Sequence, residues 1–330
     1  IFVIFRNISC FKSKDKIMYK TSMLRIYQTT LNTPVSFEGV GLHSGLNTKI
    51  TILPAEADQG IIFKRVDLKK NNLVQANYTN VSSAKLCSTL KNEKGVKVST
   101  VEHLLAALYI ANIDNAIIEI DNEEVPIMDG SAKNFISVLN KTEIKNLKNK
   151  IKYLKIIDRI ELIENQKKIS IEPNDFALEV DFKLNYHNKI IGKQRNIVNF
   201  QTDDLEDIYN SRTFCLFEDI EKIKKLGLAK GGSLDNAIVV GNNKLLNKNG
   251  LRNEKEFVNH KILDLAGDFV LSGYRILGKV VCEQGGHLLT NSFLKKLFTS
   301  KNSFIEIEVK EEKLIKKTPQ NQSIGLVVNA

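Results

Sequence analysis

The sequence predicts an α+β fold arranged in two halves, each mixing helices with period-two strands. Three observations point there. Leu178, Val180, Phe182, Leu184 and Tyr186 alternate with Glu179, Asp181, Lys183 and Asn185, the pattern of a half-buried antiparallel strand. Helical segments interrupt such strands without the regular alternation of a doubly wound sheet. A helix, a small turn and then Asp-Asn-Ala-Ile leading into a strand also occurs twice, at Asp114–Ile117 and Asp235–Ile238, which reads as an internal duplication.

At 330 residues the chain has length for two domains. Residues 1–23 are basic and slightly apolar, and are read as an extension outside the fold, either a targeting segment or upstream sequence. The first domain is placed at 24–147, the second at 148–310, and a polar tail at 311–330. The boundary is drawn in the stretch from Lys141 to Lys155, which carries six lysines and few large apolar residues.

Within the first half, Lys49–Ile52 and Gly60–Lys64 are strand-like. Gly39, Gly41 and Gly45 do not have dinucleotide-fingerprint spacing, and a strand follows them, so that reading is rejected. Ser99–Tyr109 reads as a helix, Asp114–Asn115 as a turn and Ala116–Ile120 as a strand. Pro126–Ser131 forms a turn, with Asp129 or Ser131 a candidate cap for a helix through Leu139. In the second half a helix is expected over Asp219–Leu226, then a turn at Gly231–Ser233 and the segment Leu234–Val240. A long helix follows over Asn253–Tyr274, ended near Gly273. Ile276–Cys282 reads as a buried strand, Gly285–His287 as a turn and Phe304–Val309 as an alternating strand.

Composition narrows the function. No apolar run approaches the ~20 residues that span a bilayer. The net charge of +10 suits an anionic partner, but it is spread over dispersed lysines. The chain has no tryptophan and no interleaving of basic and aromatic residues of the kind that stacks bases, so no nucleic-acid partner is expected. Cys10, Cys87, Cys215 and Cys282 are scattered, which fits a reducing compartment and argues against a disulfide scaffold or a cysteine-type zinc site. Histidine chemistry must come from five residues: His43, His103, His187, His260 and His287.

The helix expected at 253–274 organises the chemistry. At about 100° per residue, Val258, Ile262, Leu265 and Phe269 form a core-facing stripe. His260, Lys261, Asp264 and Asp268 project on the other side within roughly 100°. His260 and Asp264, at i and i+4, can place a nitrogen and an oxygen on one ion, although a solvated face with an ion pair has the same spacing. Glu102 and His103 open an apolar helix in the other half. Ser99-x-x-Glu102 also matches a capping box, and His103 also suits a hydrogen-bonded core position. Together, His103, His260 and Asp264 make a two-histidine, one-carboxylate set, the three protein ligands that leave a Zn2+ position open for water. Water at such an ion has a pKa near ~7 and can attack a carbonyl. Glu102 is then placed as general base and His287 as the acid for a leaving amine. Asp268 would orient His287, and Lys261 would supply positive charge to the oxyanion.

The motifs STVEHLLAAL from Ser99, PIMDGSA from Pro126, SRTF from Ser211 and GLAKGGSLDNAIVV from Gly227 carry a further signal. With the HKxxDxxGD helix from His260 and the Gly285-Gly286-His287 turn, they stand in the order seen in UDP-3-O-acyl-N-acetylglucosamine deacetylases. The chain resembles that family, the zinc amidases of lipid A biosynthesis, from about Gln28 to Leu297. The resemblance implies two domains of similar topology, each a sheet with a helix pair, and an active site between them. It implies His103, His260 and Asp264 as zinc ligands, Glu102 as base, and His287 as acid supported by Asp268. Lys261 and Thr213 would stabilise the tetrahedral intermediate, while His43, Phe214 and Lys261 would contact substrate. It further implies a UDP-linked acylated amino-sugar as substrate. No transmembrane segment is expected, only transient contact with a membrane surface, together with a monomer and a cytoplasmic location unless residues 1–23 direct organellar import. The chain departs from the family at Asn188-Lys189, where relatives carry a proline turn, and in the charged segment at 190–200, the family's acyl-chain passage. The rival readings are another zinc amidohydrolase on the same scaffold and a basic nucleic-acid-binding protein.

Overall fold

Two mixed sheets carry the fold, and they share one pairing pattern. The computed structural model describes residues 24–309, so the expectations for residues 1–23 and for the tail at 311–330 lie outside the described residues. The first sheet runs Val35–Val40, Asn47–Pro54, Ala116–Ile120, Ile61–Arg65, Leu73–Gln75. Its central strand, Ala116–Ile120, is antiparallel to Asn47–Pro54 and parallel to Ile61–Arg65. In the second, Ile160–Glu164, Lys167–Pro173, Arg275–Glu283, Leu178–Asn185 and Lys193–Asn199 follow one another by the same pairings. Arg275–Glu283 is again antiparallel to one neighbour and parallel to the other, and Tyr153–Ile156 and Phe304–Ile307 extend this sheet.

Parallel neighbours cannot be joined by a tight turn, and each parallel pair here is bridged by a long crossover that contains a helix. The helices are α1 (Glu102–Ile110), α2 (Lys133–Leu139), α3 (Glu206–Tyr209), α4 (Phe217–Lys225), α5 (Glu256–Val270) and α6 (His287–Thr299). The crossover from Ile61–Arg65 to Ala116–Ile120 contains α1, and that from Leu178–Asn185 to Arg275–Glu283 contains α5. The two helices that bear the candidate ligands therefore hold equivalent places in the two sheet-and-helix units.

These pairings correct the sequence reading of the repeat. Asp114–Ile117 does lead into a central strand, but Asp235–Ile238 leads into Ile238–Val240, which pairs in parallel with Phe214–Leu216 and bridges Leu245, outside both main sheets. The counterpart of Ala116–Ile120 is Arg275–Glu283. Leu178–Asn185, expected to be antiparallel, is so on one edge only. The lysine-rich stretch at 141–155 contains the strand Ile144–Lys150, paired antiparallel with Tyr27–Leu31. Gly285 and Gly286 precede a helix instead of a simple turn, since His287 is the first residue of α6.

Packing joins the two sheets through α1 and α5. Leu104 to Leu108 of α1 are fully buried, and Val258, Ile262, Leu265 and Phe269 of α5 are buried as the stripe predicted. Both sets belong to one continuous core that includes Ile50 and Ile118 of the first sheet and Val180 and Val280 of the second. Gly267 lets the helices approach: a Cβ there would stand 2.0 Å from the Glu102 carbonyl oxygen. α1 starts later than expected, with Val101 as an N-cap that offers no side-chain bond, so the capping box does not form. Among the described residues no helix is long and apolar enough to cross a membrane.

Candidate active site

α1 and α5 bring His103, His260 and Asp264 together, with one potential ligand atom from each within 4.8 Å of the others. Nε2 of His103 lies 3.4 Å, and Nε2 of His260 3.3 Å, from Asp264 Oδ1. All three residues are buried. His260 Nδ1 donates to the Ser211 carbonyl at 3.1 Å, which leaves the Nε2 lone pair facing Asp264. Burial pushes the His260 pKa down to about 3, against the pull of Asp264, so the ring is neutral. Among the described residues Asp264 Oδ1 and His103 Nδ1 have no hydrogen-bond partner. A buried carboxylate oxygen facing imidazole nitrogens without a hydrogen bond is costly, and a divalent cation between them would relieve it. The donor set fits Zn2+.

The groups expected to move protons stand beside this cluster. His287 Nδ1 donates to Asp268 Oδ2 at 2.8 Å, while its Nε2 lies 3.6 Å from Glu102 Oε1 and 3.8 Å from Asp264 Oδ2. Burial alone would lower the His287 pKa, but Asp268, Glu102 and Asp264 outweigh it and lift the value to about 10. Burial raises the Glu102 carboxyl above the usual range, opposed by His287 and His103. A histidine held cationic next to a carboxylate of raised proton affinity is suited to paired acid and base work. Glu102 does not reach back to its own helix start; its Oε2 accepts from the Ser88 backbone N–H at 3.1 Å.

Lys261 Nζ donates to Asp264 Oδ2 at 2.8 Å and lies 5.6 Å from the centre of the Phe214 ring. Burial disfavours its charge, yet Asp264 holds the ammonium's pKa above the ordinary lysine value. Burial likewise disfavours the Asp264 anion, but His260, Lys261 and His287 hold its pKa well below the usual range. Phe214 packs edge-on at 6.3 Å from His260. Thr213 is half-buried and tied by its backbone to Gly130 and Ile238; its hydroxyl makes no hydrogen bond to the cluster. His43 sits in a loop held by Glu124, which accepts from the backbone of His43 at 2.8 Å and Ser44 at 2.7 Å. Both His43 ring nitrogens are buried without a partner among the described residues, and burial lowers the ring's pKa.

Several residues that support this arrangement have no role of their own in the sequence reading. Ser88 bonds both Glu102 and, through its hydroxyl at 2.6 Å, Asp268. Ser211 opens the SRTF motif but serves His260 through its carbonyl, so no side-chain chemistry announces that role. Its position is secured by the buried pair Arg212–Glu256 at 2.8 Å, with Glu256 also accepting from the Arg212 and Arg252 backbones. Gln194, on the charged segment at 190–200, accepts from the free Val258 N–H in the first turn of α5. Glu124 also accepts from Thr100 Oγ1 at 2.9 Å, at a turn where Thr100 has φ +55°. That conformation is strained for a β-branched residue, and it delivers Glu102 and His103 into the site. Gly267 alone left a legible sign, since a glycine inside a helix pattern costs stability unless close packing requires it.

The family described as UDP-3-O-acyl N-acetylglycosamine deacetylase matches residues 28–299. The chain is 39% identical over 284 residues to the UDP-3-O-acyl-N-acetylglucosamine deacetylase of Syntrophotalea carbinolica, spanning 86% of this chain and 91% of that protein. It is 37% identical over 303 residues to the protein of the same name from Haemophilus ducreyi, with coverage of 91% and 98%. With that of Pseudoalteromonas translucida the identity is 39% over 282 residues, with coverage of 84% and 93%.

Proposed function

Since the chain belongs to the UDP-3-O-acyl N-acetylglycosamine deacetylase family, we propose that it hydrolyses the N-acetyl amide of a UDP-linked 3-O-acyl-N-acetylglucosamine. The products are acetate and the free amine, and the reaction is the committed step of lipid A biosynthesis. One observation supports this above the rest. The buried convergence of His103, His260 and Asp264 adjoins Glu102 and His287, so ligands, base and acid surround one small volume.

Zn2+ held by His103, His260 and Asp264 would polarise the amide carbonyl and lower the pKa of the attacking water. Glu102, anchored at Oε2 by the Ser88 N–H, takes the water proton on Oε1 as the C–O bond forms. His287, kept cationic by Asp268, Glu102 and Asp264, gives its Nε2 proton to the nitrogen as the C–N bond breaks. Lys261 and Thr213 stabilise the negative charge that develops on the carbonyl oxygen. Phe214, Lys261 and His43 contact the substrate, with the lysine suited to the diphosphate. The reading includes a cytoplasmic monomer that meets its acylated substrate at a membrane surface.

The decisive experiment incubates zinc-loaded protein with the UDP-sugar and follows acetate release together with metal content. Stoichiometric zinc and acetate released in step with free amine are expected. Zinc binding without acetate release from the UDP-sugar would move the assignment to another amide substrate.

A further inference from the structure

We propose that Ser88 is a positioning residue for this reaction, setting the orientation of both carboxylates that flank His287; the inference rests on the deacetylase reading above. Ser88 precedes the strand Thr89–Lys91, outside the helices that carry Glu102, Asp268 and His287, and is 2% exposed. Its hydroxyl donates to Asp268 Oδ1 at 2.6 Å, and its backbone N–H donates to Glu102 Oε2 at 3.1 Å. The other two oxygens face one imidazole: Asp268 Oδ2 lies 2.8 Å from His287 Nδ1, and Glu102 Oε1 lies 3.6 Å from its Nε2. A single residue thus holds the outer oxygen of each carboxylate and leaves the inner one to the histidine.

The need for such an anchor follows from the side chains themselves. The terminal torsion of a carboxylate is broad, so a group bonded at one oxygen can turn without much cost. Asp268, bonded at both oxygens, cannot turn without breaking a short bond. His287, whose ring is oriented through Asp268, then keeps Nε2 directed at the space beside Glu102. The backbone N–H of Ser88 survives any substitution except proline, so changing its hydroxyl isolates the Asp268 half of this device. Alanine has no donor, threonine keeps one, and cysteine offers only a weak one.

The test compares zinc-loaded Ser88→Ala, Ser88→Cys and Ser88→Thr in steady-state turnover of the UDP-sugar, with melting temperature and metal content measured alongside. Ser88→Ala is expected to lose about tenfold or more in kcat, with KM little changed and zinc still bound. Ser88→Cys should show the same loss even if the alanine variant does not fold, and Ser88→Thr should recover most of the activity. In an Asp268→Ala background, Ser88→Ala should add almost nothing, because the hydroxyl acts through that carboxylate. Parental kcat in Ser88→Ala and Ser88→Cys overturns the inference. So does a loss that adds in full to that of Asp268→Ala, or one that tracks melting temperature and is not rescued by threonine. A parent enzyme that binds zinc but releases no acetate instead removes the deacetylase reading, and the inference with it.

Discussion

Gly267 of α5 lies directly against the backbone carbonyl of Glu102 in α1, so close that a Cβ on it would stand 2.0 Å from that oxygen. The contact joins the helix bearing His260, Asp264 and Asp268 to the start of the helix bearing Glu102 and His103. Elsewhere in a helix, alanine in place of glycine stabilises by about 1 kcal/mol. Gly267→Ala is expected to have the opposite sign. Overpacking of about 1–3 kcal/mol forces the helices apart, and each kcal/mol lowers the melting temperature by about 2–4 °C. Thermal unfolding with zinc titration checks this; a stabilised variant of full zinc affinity would show that the close approach is unimportant.

Asp264 Oδ1 faces Nε2 of both His103 and His260, and its second oxygen accepts from Lys261. Asp264→Ala is expected to lose stoichiometric zinc after dialysis while keeping its fold by circular dichroism. Retention of a full equivalent of metal would remove Asp264 from the ligand set.

Glu102 and His287 are assigned proton transfers, not metal binding. Glu102→Gln and His287→Ala are each expected to retain zinc and lose roughly 10²–10⁴-fold in kcat. If either lost no more than a few-fold, its acid–base role would have to go to another residue. Metal content measured on the same samples separates that outcome from loss of the ion.

His260 is oriented through Ser211, which is secured by the ion pair of Arg212 and Glu256. Both side chains are almost wholly buried, so removing one leaves the other charge uncompensated, at a cost of about 3–5 kcal/mol. Glu256→Ala is expected to lower the melting temperature markedly and to weaken zinc binding by about 10–100-fold through loss of the His260 anchor. Unchanged zinc affinity in a destabilised variant would mean that the pair serves the fold alone.

Asp114, read from sequence as a turn residue, accepts hydrogen bonds from Arg25 at 2.8 and 3.0 Å and from Arg275 at 2.8 Å. Burial would raise its pKa, but Arg275 and Arg25 outweigh this and hold it below the usual range. A depressed folded-state pKa stabilises fully above the unfolded value of about 3.9, and the contribution fades as pH falls towards the folded value. Asp114→Asn should therefore melt below the parent at pH 7, with the gap closing under about pH 4. Denaturation curves across that range check the sign; a gap that widens in acid would contradict it.

The convergence of His103, His260 and Asp264 was legible because few side chains bind zinc and the chain has only five histidines. Glu102 carried two readings in sequence, a cap and a base, and its bond to Ser88 in place of its own helix start shows that the cap does not form. α6 was missed beyond His287 although Leu289, Phe293 and Leu297 recur at helical spacing and are buried. The two glycines before His287 are a turn signal in the sequence and mask the helix start. The roles of Ser88 and Ser211 were not legible, although Ser211 opens the SRTF motif, because a lone hydroxyl and a backbone carbonyl acquire a role only through what folds against them.

By itself the sequence determined which residue types could do the chemistry, how His260, Lys261, Asp264 and Asp268 share one helix face, and that sheets and helices would mix. Those properties are local, set by side-chain chemistry and by the periods of helix and strand. Only the tertiary structure decided that Arg275–Glu283 is the true counterpart of Ala116–Ile120 and that α1 meets α5 at Gly267. It also decided that Ser88 holds both carboxylates around His287. Such relationships join residues as far apart as 88 and 268, through pairing and packing that no local period records.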